Sequence, residues 1–527
     1  MYITTIEDLK NKIANLREAS GDELDETVPA HLDDMTEVEN NKKDYFFSNI
    51  LFFTNERDSS SNKTLKNLKD AVKGKNVNII TFVADEVDYK ATDKKISIHD
   101  SQNKYTIDKQ SNVDTIVIVR LGAQDSEECI ELIKELQEWG LFVINPIQYA
   151  QKASNKYSSS VLMERYDIPQ PKFTLLAKDD IKDGIESLNK KLKLIYKDLG
   201  EDEKADEKKE YVIKILNGHG GTGVFLVNGK TILAILQAIF AIDEEIELLL
   251  QKKQEADGGD IRVHVLTMRT TQKILGAMKR VKISGDFRSN VSLGATAEPV
   301  ELTQEQIDIA LKVAKISGMP WCAVDIMPLV HDSDPEVGDN VVLEYNASPG
   351  TDGISEVIEE NFMKILLDNI NNINELVLAP KSIGYIENIK IYLNDEDNVE
   401  FEAKLDTGNG AKASTIGCDK IEIGEDKVKA TINGKEYEFK KHGESNAIVG
   451  QVTESRVTVI IPCIQIGSRK LLNVEFALVD NRNKKQKILL NRDVLSKMAY
   501  MINPGAKHTL ESEFHSSEIK KYNKKYF

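Results

Sequence analysis

Three oxygen-bearing side chains interrupt or end two apolar stretches of this sequence. Asp325 lies within "CAVDIMPLV", and Glu344 and Asn346 follow "NVVL". Side chains alternate along a strand, so Glu344 and Asn346 point to one face while Tyr345 points to the other. A carboxylate beside a buried strand is costly unless a cation or hydrogen bonds meet it. The pattern fits a strand end whose charges reach water, and it equally fits two carboxylates and an amide that hold a hard divalent cation.

A glycine-rich loop and the lysine before it favour phosphate binding. The loop "NGHGGTGV" lies between two predicted strands. Its Gly220, Gly221 and Gly223 allow backbone amides to approach phosphate oxygens closely. A glycine hairpin has the same composition, so the loop alone is weak support. Lys214 lies inside the preceding apolar strand, where a lysine needs an anionic partner.

Two further polar segments belong to the same region. "GGDIRVHV" places Asp260 and Arg262 on one face of a predicted strand. "GDFRSN" places Arg288, Ser289 and Asn290 in a segment too polar for a core. Magnesium that bridges nucleotide phosphates commonly uses one or two protein carboxylates. Together these residues indicate phosphate chemistry.

The elements that carry these residues follow two different patterns. Residues 46–150 alternate apolar strands with helices, with a hairpin near 94–106, which predicts a mostly parallel, doubly wound sheet. Residues 151–380 mix helices with strands, and "WCAVDIMPLV" and "NVVLEYN" are predicted to pair. We also expect a solvated charged insertion at 190–210 and one helix near 354–378.

The remaining segments have simpler compositions. Residues 1–45 form an acidic extension, predicted as a short helix followed by a loosely docked segment. Residues 381–510 are rich in short strands without long helical periodicity, which predicts an all-β domain. Residues 511–527 form a polar tail.

Bulk properties exclude several classes of protein. The net charge of −17 argues against a protein that coats nucleic acid. No apolar segment approaches the ~18 residues of a membrane helix, and the first residues lack the apolar core of a signal peptide, so we expect a cytoplasmic protein without a membrane partner. The cysteines lie far apart without a CxxC pair, so they are predicted to be buried free thiols. They are Cys129, Cys322, Cys418 and Cys463.

Five motifs in order resemble those of the RimK-type ATP-grasp ligases, which add glutamate to protein or peptide carboxyl groups. The motifs are "VIKILNGHGGTGV", "DIRVHV", "GDFRSN", "AVDIM" and "LEYNASPGTDGI", and the resemblance covers roughly residues 80–375. It implies an α/β N-terminal domain followed by an α+β ATP-grasp domain. It also implies ATP and two Mg²⁺ or Mn²⁺ ions as cofactors.

The resemblance implies a role for each polar residue above. Lys156 and Lys214 would contact the ATP phosphates, and Gln251 and Lys252 would form the adenine hinge. Asp260 would contact the ribose, and the transferring phosphoryl group would lie at Arg288, Ser289 and Asn290. The metal ions would be held by Asp325, Glu344 and Asn346. The hinge departs from the family pattern, which has an acidic and an aromatic residue there.

The implied reaction begins with phosphoryl transfer from ATP to a carboxylate. An amine then attacks the acyl phosphate, which gives an amide, ADP and phosphate. Arg262, Arg280 and Arg288 are candidates for holding the acceptor carboxylate and stabilising the developing charge, because a guanidinium fork matches both groups.

The last region resembles the RimB-type retropepsin-like domains. "VEFEAKLDTGNGAKASTIG" contains the catalytic-type turn Asp406, Thr407 and Gly408, and "KILLNRDVLSKM" resembles the strand and helix that close such a barrel. Aspartic-protease chemistry needs two carboxylates that share a proton, so one copy per chain requires a dimer. The family's "DTGA" is "DTGNGA" here, and Asn491 stands where glycine is usual. A purely structural turn remains an alternative.

We therefore expect an ATP-dependent ligase that adds glutamate or another amino acid to a protein or peptide. Its last domain would trim the product or dimerise the chain. The alternatives are an ATP-grasp ligase of a small metabolite, a nucleotide-binding assembly protein with vestigial catalysis, and a stand-alone peptidase. No specific nucleic-acid partner is expected.

Overall fold

The computed structural model covers most of the chain between residues 45 and 510. It describes residues 45–58, 61–92, 94–108, 114–121, 126–196, 209–217, 223–281, 296–331, 333–334, 337–378, 380–393, 398–449, 452–467, 469–480 and 486–510. The predictions for residues 1–44 and for the tail from 511 onward lie outside the described residues.

The first part of the chain forms a parallel sheet in the order β2-β1-β6-β7. Its elements are β1 (Asn49–Thr54), α1 (Lys63–Ala71), β2 (Asn78–Val83), β3 (Asp88–Ala91), β4 (Lys95–His99), β5 (Lys104–Asp108), β6 (Thr115–Arg120), α2 (Glu127–Glu138), β7 (Phe142–Ile144) and α3 (Ile147–Ser154). Strand β6 is buried from Thr115 to Val119 because apolar clusters cover both faces of the sheet. The predicted parallel sheet is confirmed, and so is the hairpin, to which β3 adds a third strand.

The middle of the chain forms two antiparallel sheets, β10-β9-β11-β8 and β14-β13-β12-β15-β16. Its elements are α4 (Lys156–Arg165), β8 (Phe173–Leu176), α5 (Ile185–Ile195), β9 (Glu210–Ile215), β10 (Val224–Asn228), α6 (Ile232–Ile242), β11 (Leu248–Lys252), β12 (Asp260–Thr267), β13 (Gln272–Val281), β14 (Thr296–Pro299), α7 (Gln304–Ser317), β15 (Trp321–Pro328), β16 (Asn340–Asn346), α8 (Asp352–Val357) and α9 (Phe362–Ile370). The predicted pairing of β15 with β16 is confirmed.

Two predictions for this part of the chain need correction. Helix α5 covers the start of the predicted insertion at 190–210, where Leu192 and Ile195 are buried in an apolar cluster. Residues 197–208 of that insertion lie outside the described residues. The single helix expected near 354–378 is two helices, and Glu359 between them has a positive φ of 54°. A left-handed residue cannot continue an α-helix, so the chain turns there.

The last part of the chain is all-β apart from one short helix, as predicted. Its elements are β17 (Lys381–Gly384), β18 (Ile386–Tyr392), β19 (Asn398–Leu405), β20 (Ser414–Cys418), β21 (Lys420–Ile423), β22 (Lys427–Ile432), β23 (Lys435–Lys440), β24 (Gly443–Val449), β25 (Val452–Ile466), β26 (Arg469–Asp480), β27 (Ile488–Leu490), α10 (Arg492–Lys497) and β28 (Tyr500–Asn503). Strand β18 pairs with both β19 and β25, so the order β18-β19-β27-β20-β26-β25 closes into a barrel.

The barrel contacts the preceding region through the connection between them. The side chain of Asn374 donates to the carbonyl of Leu472 and accepts from its N–H, both at 2.9 Å. Lys381 donates from Nζ to the carbonyl of Glu138 at 3.0 Å. These bonds attach the barrel to the end of α2 and to the segment that follows α9.

The cysteines are free thiols, as predicted: Cys129, Cys322 and Cys418 are buried and Cys463 is half-buried. Within the ranges given above, no helix is long and apolar enough to cross a membrane. The cellular location stays a prediction.

Candidate active site

The three oxygen donors predicted from the sequence meet on β15 and β16. Asp325 and Glu344 are register partners, and the pairing shifts directly after Asp325. Asn346 donates from Nδ2 to Asp325 Oδ2 at 3.3 Å and lies 3.4 Å from Glu344 Oε1. Tyr345 is buried on the opposite face, among apolar residues. The predicted alternation of faces is therefore confirmed.

Two arginines from neighbouring strands surround Asp325. Arg262, its register partner on β12, donates from Nε to Oδ1 and from Nη2 to Oδ2, both at 2.7 Å. Arg280 on β13 lies 2.9 Å from Oδ2 through its Nη2. Burial alone would raise the pKa of Asp325, but these two guanidinium groups hold it at about 2. The carboxylate is thus ionised although its side chain is almost inaccessible.

Arg280 also binds Asp260. Its Nε donates to Oδ1 at 2.6 Å and its Nη2 to Oδ2 at 2.9 Å. Burial raises the pKa of Asp260, and the two hydrogen bonds from Arg280 oppose that rise. The bidentate geometry is that of an ionised pair. Both side chains are only 4% exposed, so the structure favours a positioning role for Asp260 over direct contact with a ribose.

Lys156 and Lys214 lie close to the same carboxylates. The N–H of Lys156, at the start of α4, donates to the carbonyl of Leu216 at 3.0 Å, which joins this helix to the end of β9. Burial lowers the pKa of both ammonium groups, that of Lys214 to about 8, while the charge of Glu344 opposes the shift in each. Both side chains are half-buried, and ammonium groups beside carboxylates can bind phosphate oxygens.

The predicted phosphate loop lies within the described residues only at Asn217 and from Gly223 onward. Gly223 has a φ of +73°, and a Cβ there would lie 2.7 Å from the side chain of Ile215, so glycine is required on both counts. Ile215 donates to its carbonyl at 2.9 Å, which closes the β9–β10 hairpin. The other predicted residues of this part of the site lie outside the described residues. They are Gly220, Gly221, Arg288, Ser289 and Asn290.

The predicted hinge residues are engaged by other parts of the chain. Gln251 is buried in β11. The Nζ of Lys252 lies 2.8 Å from Asp334 Oδ2, and its N–H donates to the carbonyl of Lys172 at 2.9 Å. Asp334 belongs to the acidic loop between β15 and β16 and is only 4% exposed. Lys252 and Gln254 satisfy its carboxylate in this buried position.

The residues predicted from the sequence do not include Arg120, the last residue of β6. Its Nη1 is buried and has no hydrogen-bond partner among the described residues. The guanidinium carbon lies 5.5 Å from the centre of the Trp321 ring. The signal was present in the sequence, because an arginine directly follows the apolar run "TIVIV", just as Glu344 follows another apolar strand.

The donor set fits a magnesium ion. No group of three His, Cys, Asp or Glu residues in the described ranges could hold a metal, but Asp325 and Glu344 with the amide of Asn346 form a set of hard oxygen ligands. Mg²⁺ typically takes one or two carboxylates and completes its shell with water and substrate phosphates. The half-buried Lys156 and Lys214 would face those phosphates.

The second predicted site lies at the end of β19. Asp406 is half-buried, Thr407 and Gly408 are exposed, and Asp406 Oδ1 accepts from the N–H of Gly408 at 3.0 Å. Asn491 braces the turn from the neighbouring strand end: its Nδ2 donates to the carbonyl of Ala411 at 2.8 Å. Asn491 Oδ1 also accepts from the N–H of Val494 at 3.1 Å and so caps α10. An asparagine in place of glycine is therefore compatible with an ordered turn.

Comparison with known proteins identifies the class of this chain as an ATP-grasp ligase. Residues 153–370 match the family model described as "RimK-like ATP-grasp domain". The chain is 30% identical over 285 residues to a probable alpha-L-glutamate ligase of Vibrio atlanticus, which covers 54% of this chain and 82% of that relative. A relative of the same description from Teredinibacter turnerae is 32% identical over 240 residues, 45% of this chain and 70% of the relative. The chain belongs to the RimK-like family of ATP-grasp ligases.

Among solved structures, that of the ATP-grasp ligase PsnB complexed with minimal precursor covers 61% of this chain and 97% of that chain, with 16% identity and a TM-score of 0.43. Family membership confirms the prediction of ATP-dependent amide bond formation, while the number and identity of the metal ions stay predictions. The family match ends at residue 370, so the function of the barrel stays a prediction.

Proposed function

We propose that this chain joins an amino acid, with glutamate as the first candidate, to the carboxyl group of a protein or peptide. The description of the relatives as probable alpha-L-glutamate ligases supports glutamate. The observation that carries the proposal is that the charge of Glu344 acts on two half-buried lysines, Lys156 and Lys214. Such a group of charges suits a nucleotide triphosphate and its metal ion.

The reaction would begin when the acceptor carboxylate attacks the γ-phosphorus of ATP, which gives an acyl phosphate and ADP. The amine of the amino acid then attacks the acyl carbon, loses a proton, and displaces phosphate. Lys156 and Lys214 would bind the phosphate oxygens, because positioning and charge dominate such a step. Asp325, Glu344 and Asn346 would hold Mg²⁺, two ions in our proposal, which when bound neutralises the phosphate charge.

The arginines would divide into two groups. Arg280 is almost inaccessible and its donors are committed to Asp260 and Asp325, so we assign it to positioning Asp325. Arg262 has its Nε and Nη2 committed to Asp325 but is 15% exposed, and it keeps the proposed role at the acceptor carboxylate. Arg288 keeps the role predicted for it, with Ser289 and Asn290.

The experiment that tests the ligase is ADP release by the full chain with ATP, Mg²⁺ and a panel of amino acids and acceptor peptides, with products identified by mass spectrometry. We expect amino-acid-dependent release that falls at least ~100-fold in Glu344→Ala. Glu298→Ala, at an exposed position on β14, is the matched control and should behave as wild type. A metabolite as the sole acceptor would favour the small-molecule ligase. No ADP release with any substrate would favour an assembly protein.

For the barrel we propose a retropepsin-like domain that works as a homodimer. The support is the closed ring of strands and the position of the Asp406 turn beside the end of β27, where Asp406 donates its N–H to the carbonyl of Leu490 at 3.0 Å. A second carboxylate would come from another copy of the chain. Sedimentation should show a dimer, and Asp406→Asn should abolish peptide cleavage while sparing ADP release. A strict monomer would exclude this proposal.

A further inference from the structure

Arg120 lies at the edge of the parallel sheet where ligands usually bind. In open α/β sheets, binding sites lie outside the carboxyl ends of the strands, and Arg120 is the last residue of β6. The next residue, Leu121, accepts a hydrogen bond through its carbonyl from Ser348 Oγ at 3.4 Å. Ser348 follows Asn346 by two positions, so the end of β6 meets the end of the strand that carries Glu344 and Asn346.

One nitrogen of the Arg120 guanidinium group lacks a hydrogen-bond partner among the described residues. The guanidinium group contacts the Trp321 ring, and this nitrogen, Nη1, is buried. Buried polar nitrogens normally form a hydrogen bond, so a bound ligand is a reasonable partner for this Nη1. Burial lowers the pKa of Arg120 to about 10, and the charge of Asp352 opposes that shift.

The charges near Arg120 are compatible with the binding of an added anion. Asp352, the carboxylate that acts on it, also lies 3.4 Å from the Nζ of Lys63. The positive charge of Arg262 disfavours the charged form of Arg120, and Arg262 is itself paired with Asp325. His264 is buried nearby with a pKa lowered to about 3 by burial, so it contributes no charge at neutral pH.

We propose that Arg120 is a substrate-binding residue that receives a carboxylate of one of the two substrates, beside the Arg262–Asp325 pair. The inference rests on the proposed ligase function and names a residue of the first sheet as part of its substrate site. A guanidinium fork against a ring face is suited to a planar carboxylate. That carboxylate belongs to the amino acid or to the acceptor peptide, and the two have the same chemistry.

The test compares wild type with Arg120→Gln and Arg120→Lys in the full chain, with Arg165→Gln, an exposed arginine at the end of α4, as the matched control. In Arg120→Gln we expect the KM of one carboxylate substrate to rise about 10- to 100-fold, because a charge-assisted hydrogen bond is lost. The KM for ATP should change less than about twofold, since Arg120 is not assigned to the phosphates. Arg120→Lys should recover part of the loss, as it keeps the charge but not the fork.

Which KM rises identifies the source of the carboxylate. A rise for the amino acid, with loss of discrimination between glutamate and its amides, assigns Arg120 to the amino acid. A rise for the acceptor peptide alone assigns it to the acceptor. Unchanged KM values for both substrates would overturn the proposal, as would a lowered melting temperature together with a uniform loss of kcat, since both would indicate a structural role.

A binding measurement separates this inference from the proposed function. L-glutamate and a peptide with a free carboxyl terminus are titrated into the protein saturated with ADP and Mg²⁺, without turnover. Binding of either probe to wild type that weakens about tenfold or more in Arg120→Gln supports the inference even if no ligase activity is found. Absence of binding to wild type, or equal binding to both proteins, would exclude it.

Discussion

The charged group around Asp325, here called the ATP-grasp cleft, and the Asp406 turn of the barrel both place an aspartate at or near the end of an apolar strand. The two carboxylates have different surroundings. Asp325 is 1% exposed and contacts Arg262, Arg280 and Asn346, which come from three other strands. Asp406 is half-buried, and its carboxylate accepts a hydrogen bond from the N–H of Gly408 within its own turn.

The difference shows what a short motif can and cannot establish. The charges around Asp325 depend on one another, since each buried group is tolerated only because its neighbours have the opposite sign. Such a site can be recognised from one chain, because all of its interacting charges belong to that chain. The Asp406 turn is locally complete, and only a second carboxylate would make it catalytic. The comparison therefore predicts that substitutions in the cleft have large effects that depend on one another, and that substitution of Asp406 at the turn has a small, independent effect on stability.

Replacement of Asp325 should have the largest effect on stability. Asp325→Asn leaves Arg262 without its bidentate partner and Arg280 with only Asp260, and removal of one member of a buried ion pair costs about 3–5 kcal/mol. Denaturant unfolding of the nucleotide-free chain should show this loss in the transition of the ATP-grasp region. Asp339→Asn, at an exposed aspartate in the same region, is the control. A loss below about 1 kcal/mol would mean that the cleft charges are screened by water.

Loss of the side chain that braces the turn should have an intermediate effect. Asn491→Gly restores the residue common in retropepsins, but it removes the bonds of Asn491 to Ala411 and Val494 in a buried site. We expect about 2 kcal/mol of destabilisation of the barrel, measured by its unfolding transition. Asn433→Gly is the control, because Asn433 is exposed with a φ of 51° and glycine suits it. An unchanged transition in Asn491→Gly would show that other contacts hold the turn.

Much of this fold could be predicted because its main signals are local. The strands of the first sheet are continuous apolar runs, which follows from burial on both faces, and "NVVLEYN" carries both the alternation and the polar pair. The pairing of β15 with β16 brought Asp325 to Glu344 as expected. The closure of the barrel through β18 and β25 joins residues more than seventy positions apart, and a local sequence pattern does not predict it.

Distant partners decide features that a local pattern leaves open. Asp334 belongs to an acidic loop, but Lys252 from β11 satisfies its carboxylate in a buried position. The assignment of Asp260 to the ribose stays a prediction, and the register of β12 with β13 places this residue opposite Arg280. Arg120 was missed because the burial of its Nη1, which has no hydrogen-bond partner among the described residues, follows from packing and not from a local pattern.

The pH dependence of nucleotide binding tests the charge coupling of the cleft at a single residue. The pKa of Lys214 is lowered to about 8, so without ligand the ammonium group loses its proton as the pH rises through 8. Bound phosphates favour the charged form, and binding above this pH must therefore take up a proton. The affinity for ATP with Mg²⁺ should fall about tenfold between pH 7 and pH 9, measured by calorimetry. Lys214→Arg stays charged over this range and should lose this dependence, whereas equal profiles for both proteins would contradict the assignment.

The smallest expected effect is that of Asp406→Asn on the stability of the barrel. Asn is nearly the same shape and its side-chain oxygen can still accept from the N–H of Gly408, while no described ion pair involves Asp406. The unfolding transition should therefore shift by no more than about 0.5 kcal/mol. The same substitution should remove any peptide cleavage, and Asp426→Asn, at an exposed site of the barrel, should change neither property. If Asp406→Asn destabilised the barrel by 2 kcal/mol or more, the turn would be as coupled as the cleft, and the contrast between the two regions would fail.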